Sequence, residues 1–415
     1  MTSGSQRFGY HGDFRKLWAG QTVSAFGTLL GALSLTALVY LDASPPQLGL
    51  LYMAQGAPAL AFSLFAGVWV DRLPRRVLLI ASDVGRAVAL LSVPLAAAFG
   101  ELRIEQLYIV AFVTGTLDVA FRLAYRAYLP SLVEQDQLIE ANSRLAASES
   151  VAEAASPAVG GALVQAAGVP IAVFVDALTF AGSALMIALI RRPETRQPRK
   201  PESSLTTEIV EGVRVLWRNL VLRALAADIC LLSFFGGFYH ALYGAFLLRT
   251  LDFSPLVLGL TIGAGGVGSF LGALIVGRLL RRLGLGRGII AARIVHEACT
   301  FLIPVAGGPP ELAFGMIVFA QLAGDAFWVT ADVSAISLRQ TIVPEHLLGR
   351  VNAGMHTLEG GCLPLGALLA GFLAEAIGLR ETLFIGASGM ICGIAFLALS
   401  PLPRLQTASD AGDQT

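Results

Sequence analysis

Apolar stretches of about twenty residues, each long enough to cross a hydrocarbon layer of roughly 30 Å, follow one another along nearly the whole chain. Short polar breaks separate them. The pattern predicts twelve membrane-spanning helices, spans 1 to 12, at 14–41, 46–70, 77–99, 104–128, 143–167, 170–190, 221–248, 255–280, 288–306, 311–336, 351–375 and 381–400. The breaks alternate in character. Those after spans 2, 4, 6, 8 and 10 contain DRLPRR, PSLVEQDQLIEANSR, RRPETRQPRKPE, RRLGLGRG and VPEHLLGR, whereas those after the odd-numbered spans are short and nearly uncharged.

The pattern also repeats. Residues 41–50 read LDASPPQLGL and residues 251–260 read LDFSPLVLGL. The offset of 210 persists: Gly67 matches Gly277, Pro94 matches Pro304, and VPLA at 93–96 matches IPVA at 303–306. One half is a copy of the other, and in a very apolar chain two similar halves point to a transporter whose site lies between them. The organisation expected is an N-terminal tail (1–13), a six-helix bundle (14–190), a linker (191–220), a second six-helix bundle (221–400) and a C-terminal tail (401–415).

Composition agrees. Hydrophobic residues make up 55% of the chain and charged residues 14%, with a mean hydropathy of +0.70; a soluble chain carries roughly a quarter charged residues. The fold class is therefore an all-α polytopic membrane protein. The net charge is zero, but its distribution is informative: of the 29 Lys and Arg residues, only Arg103, Arg249 and Arg380 fall on the side of the odd-numbered breaks. The positive-inside rule makes the other side, with both termini, cytoplasmic. No signal peptide is expected, because the polar start runs into a full-length span without a cleavage site. The linker holds Pro193, Pro198 and Pro201 among basic residues, then LTTEIVEGVRVLW, which suits an amphipathic helix on the inner surface. The basic loops need no nucleic acid to explain them. Cys230, Cys299, Cys362 and Cys392 all fall inside spans without CxxC spacing, so neither a disulfide frame nor a metal site is expected.

Twelve spans in a 6+6 repeat resemble the major facilitator superfamily. The loop between spans 2 and 3, Gly67-Val-Trp-Val-Asp71-Arg72-Leu-Pro74-Arg75-Arg76, resembles that superfamily's signature G-x-x-x-D-R-x-G-R-R/K, with Pro74 where Gly is usual. The second copy keeps Gly277, Arg281 and Arg282 but has Arg281 where Asp71 stands. The resemblance implies a cytoplasmic gate in which Asp71 meets the N-terminus of span 11 and Arg72, Arg75 or Arg76 pairs with Glu134 or Asp136. These arginines can instead serve only to fix topology. Ser156-Pro157-Ala-Val-Gly160-Gly161 in span 5 resembles the antiporter motif ending G-P-x-x-G-G, with a weaker twin at Leu363-Pro364-Leu-Gly366 in span 11. Small residues permit close helix approach, and proline lets a helix bend. The antiporters' usual span-4 Arg motif is not recognisable. Over residues 10–400 the chain looks most like the drug:proton antiporter-3 group, which includes macrolide pumps and siderophore exporters.

An ionisable group at bilayer depth costs at least about 2.5–3.5 kcal/mol, which makes each a functional candidate. Asp118 in span 4 and Asp332 in span 10 each lie twelve residues before a proline, Pro130 and Pro344, and are repeat-related. The superfamily lines its cavity with spans 1, 4, 7 and 10, which implies facing walls. Asp325 lies two turns from Asp332 on a similar face. Span 5 adds Glu149 and Glu153, and span 11 adds His356 and Glu359. Asp325 and Glu153 are the leading proton-coupling candidates. Bland readings stand beside these: Asp118 can pair with Arg122 at i+4, and Glu149 and Asp332 can be solvated near the inner interface. Asp176 is expected near the outer surface and Asp228 near the inner one, and His296 and Glu297 are expected to be structural. Phe26, Phe234, Phe235, Phe238, Tyr239, Tyr243 and Trp328 are candidates for an aromatic cavity wall suited to flat or cationic compounds.

There is no G-x-x-x-x-G-K-[ST] phosphate loop, and no HExxH, GxSxG or paired Cys/His constellation. An enzyme or sensor is thereby disfavoured. The expected function is export of a small amphipathic compound (drug, antibiotic or siderophore-like) by proton antiport with alternating access. The alternative is gradient-independent or symport passage of a nutrient, although polar Asn and Gln are sparse in the spans. The expected setting is a bacterial cytoplasmic membrane, with a small-molecule substrate, protons and lipid as partners, a monomer, and no cofactor. Arginine dominates the basic residues, which hints at a GC-rich genome.

Overall fold

The computed structural model describes residues 12–28, 31–62, 73–134, 137–192 and 214–406. Span 1 is Gly12–Thr28, resumed by Ala32–Leu35 and a wider π-turn, Thr36–Tyr40. Spans 2 to 6 are Pro45–Phe62, Arg75–Ala98, Ile104–Leu132, Leu138–Ala167 and Val169–Ala188. Span 7 is Leu220–Ala245 with a π-turn, Phe246–Thr250. Spans 8 to 12 are Pro255–Leu283, Leu285–Val305, Pro310–Ile342, Glu345–Ile377 and Leu379–Leu399. No strand occurs among the described residues. Spans 4 and 10 run past their expected ends, and spans 5 and 11 begin before theirs. Hydropathy reads only the lipid-immersed part of a helix, and these four continue beyond it at the end bearing the basic loops.

Among the described residues, ten helices are long and apolar enough to cross a membrane. Of the other two, span 5 is diluted by its serines and glutamates, and span 2 is described only over Pro45–Phe62. Both are interface helices: span 2 packs on span 11 and span 5 on span 8, so each half lends two helices to the other. Small residues bring the backbones together, as helix association in lipid favours. A methyl group on Gly259 would lie 2.0 Å from the Pro157 carbonyl oxygen, one on Gly161 2.2 Å from that of Pro255, and one on Gly49 2.7 Å from that of Ala367.

The sequence repeat is a structural one. After each π-turn comes an aspartate with left-handed backbone, Asp42 (φ 47°) and Asp252 (φ 55°), the only described non-glycine residues with positive φ. Aspartate tolerates this region better than most residues. Each turn then delivers a proline to the start of the next helix, Pro45 or Pro255, where a fixed φ and a missing N–H do no harm.

The buried apolar residues divide unevenly between the two ends. At the end of the odd-numbered loops one cluster joins both halves, with Leu48, Leu51, Leu90 and Val173 beside Phe238, Leu242, Leu258 and Ala367. At the basic end there are two clusters. One holds Phe14, Leu79, Tyr128 and Ile187 of the first half, and the other Leu222, Ile289, Leu338 and Val351 of the second. Among the described residues, the halves share a buried core at one end and keep separate cores at the other. At the fused end Arg249 Nη2 reaches across to Asp42 Oδ1 at 2.7 Å.

Candidate functional site

A cavity of about 540 Å³ lies between the halves. The second half supplies most of its wall: Ser233, Tyr239, His240 and Tyr243 from span 7, Arg293, His296 and Thr300 from span 9, Gln321, Asp325, Trp328 and Asp332 from span 10, and Glu359 from span 11. The first half contributes Ser34, Leu38, Tyr52, Pro157 and Gly161.

Helical spacing puts Asp325, Trp328 and Asp332 on one face of span 10. Asp325 fits because span 8 has a glycine opposite: a Cβ on Gly265 would stand 2.1 Å from Asp325 Oδ2. Two tyrosines frame the acid. Tyr243 donates to Thr261 Oγ1 at 3.1 Å, and Tyr239 donates to the carbonyls of Thr300 (3.3 Å) and Leu383 (3.0 Å). His296 Nδ1 donates to the Gly324 carbonyl at 3.0 Å. Glu359 meets His356 Nδ1 at 3.5 Å, with His356 exposed.

The remaining candidates fall elsewhere. Asp118 accepts from Arg86 Nη1 at 3.3 Å and also pairs with Arg122, the i+4 pairing considered above. Glu149 and Glu153 lie exposed on span 5 and Phe26 half-buried on span 1, all three away from the cavity lining. Phe238, 1% exposed, packs against Phe234 and Phe235 in the shared core rather than facing the cavity. The Phe234 backbone meets Gly366 of span 11 and the Phe235 ring meets Gly389 of span 12, so this aromatic run is packing. Pro157 and Gly161 sit where span 5 touches span 8, while Ser156 and Gly160 are buried beside them. Of the gate motif, Gly67, Asp71 and Arg72 lie outside the described residues, as do Asp136 and linker residues 193–213. Arg75 Nη1 donates to the Ala127 carbonyl (2.9 Å) and Arg76 Nη2 to that of Ala188 (2.6 Å), tying the basic-loop end of span 3 to spans 4 and 6.

Sequence reasoning missed two buried arginines by counting them with the inner loops. Arg86 stands eleven residues into span 3 and Arg293 eight into span 9, about 17 and 12 Å along their helices at 1.5 Å per residue. Arg86 bonds Asp83 Oδ1 at 2.5 Å and lies between the rings of Phe121 (4.5 Å) and Phe180 (4.3 Å). Arg293 Nε bonds Asp228 Oδ2 at 3.1 Å. The signal was present as Asp83-x-x-Arg86 and as Arg293-x-x-His296-Glu297 amid apolar residues. Asp176 and Asp228 are both buried, 6% and 4% exposed. Cys230 and Cys362 bring their thiols within 2.9 Å across spans 7 and 11.

A model of the transmembrane secretion effector family matches residues 10–414. The multidrug efflux pump Tap of Mycolicibacterium fortuitum is 30% identical over 89% of this chain and 90% of its own. Macrolide efflux protein A of Streptococcus pyogenes is 24% identical over 91% of this chain and 93% of its own. A bacterial homologue of the iron transporter ferroportin in the inward-facing state superposes with TM-score 0.72 at 17% identity, covering 93% of this chain and 98% of that one. Such a homologue in the outward-facing state, soaked with iron, gives 0.56 at 15% identity with the same coverage. The fold is thus the twelve-helix transporter fold expected from the repeat, and the chain is a multi-pass membrane transporter, not an enzyme. It belongs to the transmembrane secretion effector family of the major facilitator superfamily.

Proposed function

We propose that this protein exports a small amphipathic compound, of the drug, antibiotic or siderophore kind, by proton antiport with alternating access. The observation that carries the reading is the cavity itself. It places Asp325, Asp332 and Glu359 beside Trp328 and two tyrosines, between halves that share a buried core at the odd-loop end. Rings and carboxylates together suit an amphipathic cation, and a carboxylate in a partly dehydrated cavity can exchange a proton for that cation. Similarity to pumps whose names specify multidrug and macrolide efflux supports the substrate class.

The fused core at the odd-loop end and the parted cores at the basic end support an inward-facing state, with the basic loops and both termini cytoplasmic in a bacterial inner membrane. The better superposition on an inward-facing relative agrees with this. The test is transport of macrolides and lipophilic cations in proteoliposomes under an imposed pH gradient. Gradient-driven movement that Asp325→Asn abolishes is the expected result. Movement indifferent to both the gradient and the substitution would leave facilitated passage as the function.

A further inference from the structure

Span 9 carries two charged side chains inside the second half. Arg293 and Glu297 stand one turn apart, 3% and 2% exposed. Arg293 Nε is held by Asp228 of span 7. Arg293 Nη1 and Glu297 Oε2 are both buried without a hydrogen-bond partner. With both acids ionised, two carboxylates share one guanidinium, which leaves one negative charge unmatched where water is scarce. Burial of an unpaired charge is heavily disfavoured, and a proton removes it. Asp228 already holds the guanidinium, so the proton belongs on Glu297.

We propose that Asp228, Arg293 and Glu297 form a proton-binding site behind the cavity wall, with Glu297 the group that takes up and releases the proton. The proposal rests on the antiport reading and gives it a second carrier besides Asp325. Arg293 lines the cavity, which joins the site to the substrate's space. A positive charge arriving beside Asp325 and Asp332 favours an ionised neighbour. The carboxyl O–H of Glu297 then breaks, its proton passes to cavity water, and the carboxylate pairs with the free Nη1 of Arg293.

The charged and titratable groups around the site are few. Span 7 presents Asp228 and Tyr239. Asp332 of span 10 and Glu359 of span 11 lie within electrostatic reach of Arg293. Asp325 lies higher on span 10, and His296 and Cys299 lie on span 9 itself. Span 12 carries Arg380, bonded to the Pro304 carbonyl at the far end of span 9, and Glu381 in its first turn, and past them only the Cys392 thiol.

Infrared spectroscopy of the purified protein in lipid, titrated from acid to alkaline pH, tests this without any substrate. The wild type is expected to show a protonated-carboxyl stretching band at neutral pH with a component that Glu297→Gln removes and Asp325→Asn leaves. Glutamine matches a protonated glutamate in shape, so the variant should fold. Asp228→Asn provides a second arm: it frees Arg293 for Glu297, which ionises, and the same component is lost at neutral pH. A neutral-pH carboxyl band identical in wild type, Glu297→Gln and Asp228→Asn would overturn the proposal. A band that behaves as expected in a protein whose transport ignores the pH gradient would remove the antiport reading and leave the proton site standing.

Discussion

Each half of the molecule buries one arginine among carboxylates, and the two treat it differently. In the first half Arg86 is enclosed: Asp83 and Asp118 hold it, two phenyl rings cover it, and Asp118 is further matched by Arg122. Buried Asp176 stands nearby with one oxygen unpartnered, and none of these groups is on the cavity wall. In the second half Arg293 has one bonded acid, leaves Glu297 unmatched, and opens onto a cavity with three more acids. The scaffold that presents them is repeated down to the left-handed aspartate after each π-turn. The difference teaches that duplication kept the frame and divided the labour. The first half closes its charges off from the cavity, and the second opens them to it.

That contrast is broken most forcefully at the arginines. Arg86→Met strands Asp83 in an apolar surround, and removing one partner of a buried pair costs about 3–5 kcal/mol. The expected outcome is a large drop in unfolding midpoint in detergent, recovered in part by adding Asp83→Asn. Arg293→Met should cost as much, with Asp228→Asn the compensating change. The comparison predicts different ends for the two rescued proteins: the Arg86 pair regains transport with its stability, whereas the Arg293 pair regains only stability. Equal recovery of transport in both would erase the division of labour.

Backbone approach is the next largest effect. A methyl on Gly366 would fall 1.6 Å from the Phe234 carbonyl oxygen inside the second half, and one on Gly259 2.0 Å from that of Pro157 between the halves. Overpacking of this kind costs typically about 1–3 kcal/mol, and a carbonyl within a helix has little room to yield. Gly366→Ala should therefore lower thermal stability. Gly259→Ala should instead loosen the fused end, seen as increased labelling of a cysteine placed there. Gly182→Ala and Gly315→Ala, with nothing within 4 Å, should change stability by less than about 0.5 kcal/mol.

How far the sequence foretold all this follows from which forces it records. Apolar run length is written plainly, because a helix must match the bilayer, and the repeated phrase at 41–50 and 251–260 is written twice. The spans and their two-half arrangement were legible for that reason. Asp325, Asp332 and Tyr239 were legible as cavity groups because spans 7 and 10 line cavities in the superfamily that the chain resembles. Phe238 was not separable from Tyr239, since adjacent residues on a helix point about 100° apart and only packing decides which faces inward. Arg86 and Arg293 escaped because counting basic residues by side assigns every arginine to a loop. Glu297 looked structural from its place on a peripheral span, and only its missing partner sets it apart.

A single hydroxyl tests the wall of the working half. Tyr239 donates to the carbonyls of Thr300 and Leu383, both in the second half. Tyr239→Phe should cost about 0.5–1.5 kcal/mol, read as a modest fall in unfolding midpoint, while substrate binding changes through the altered wall.

The smallest effect is expected where the halves meet in solvent. Arg249 and Asp42 are 2.7 Å apart, but Asp42 is 92% exposed, and such pairs are worth about 0.2–1 kcal/mol and are screened by salt. Arg249→Ala should thus shift the balance between fused and open outer ends by at most about fivefold, since 1.4 kcal/mol is a factor of ten. The charge-swapped Asp42→Arg, Arg249→Asp protein should restore it, and high salt should abolish the difference between wild type and variant. The repeat makes the prediction sharper. The position matching Arg249 in the first half is Val39, and Asp252 matches Asp42, so the clasp exists once in a frame that could hold two. Val39→Arg offers Asp252 the missing partner, and by the pseudo-symmetry of the turns it should slow opening of the outer end as much as Arg249→Ala speeds it. No change in outer-end labelling on Val39→Arg, with a clear change on Arg249→Ala, would mean that the two turns share a backbone path without presenting their aspartates alike.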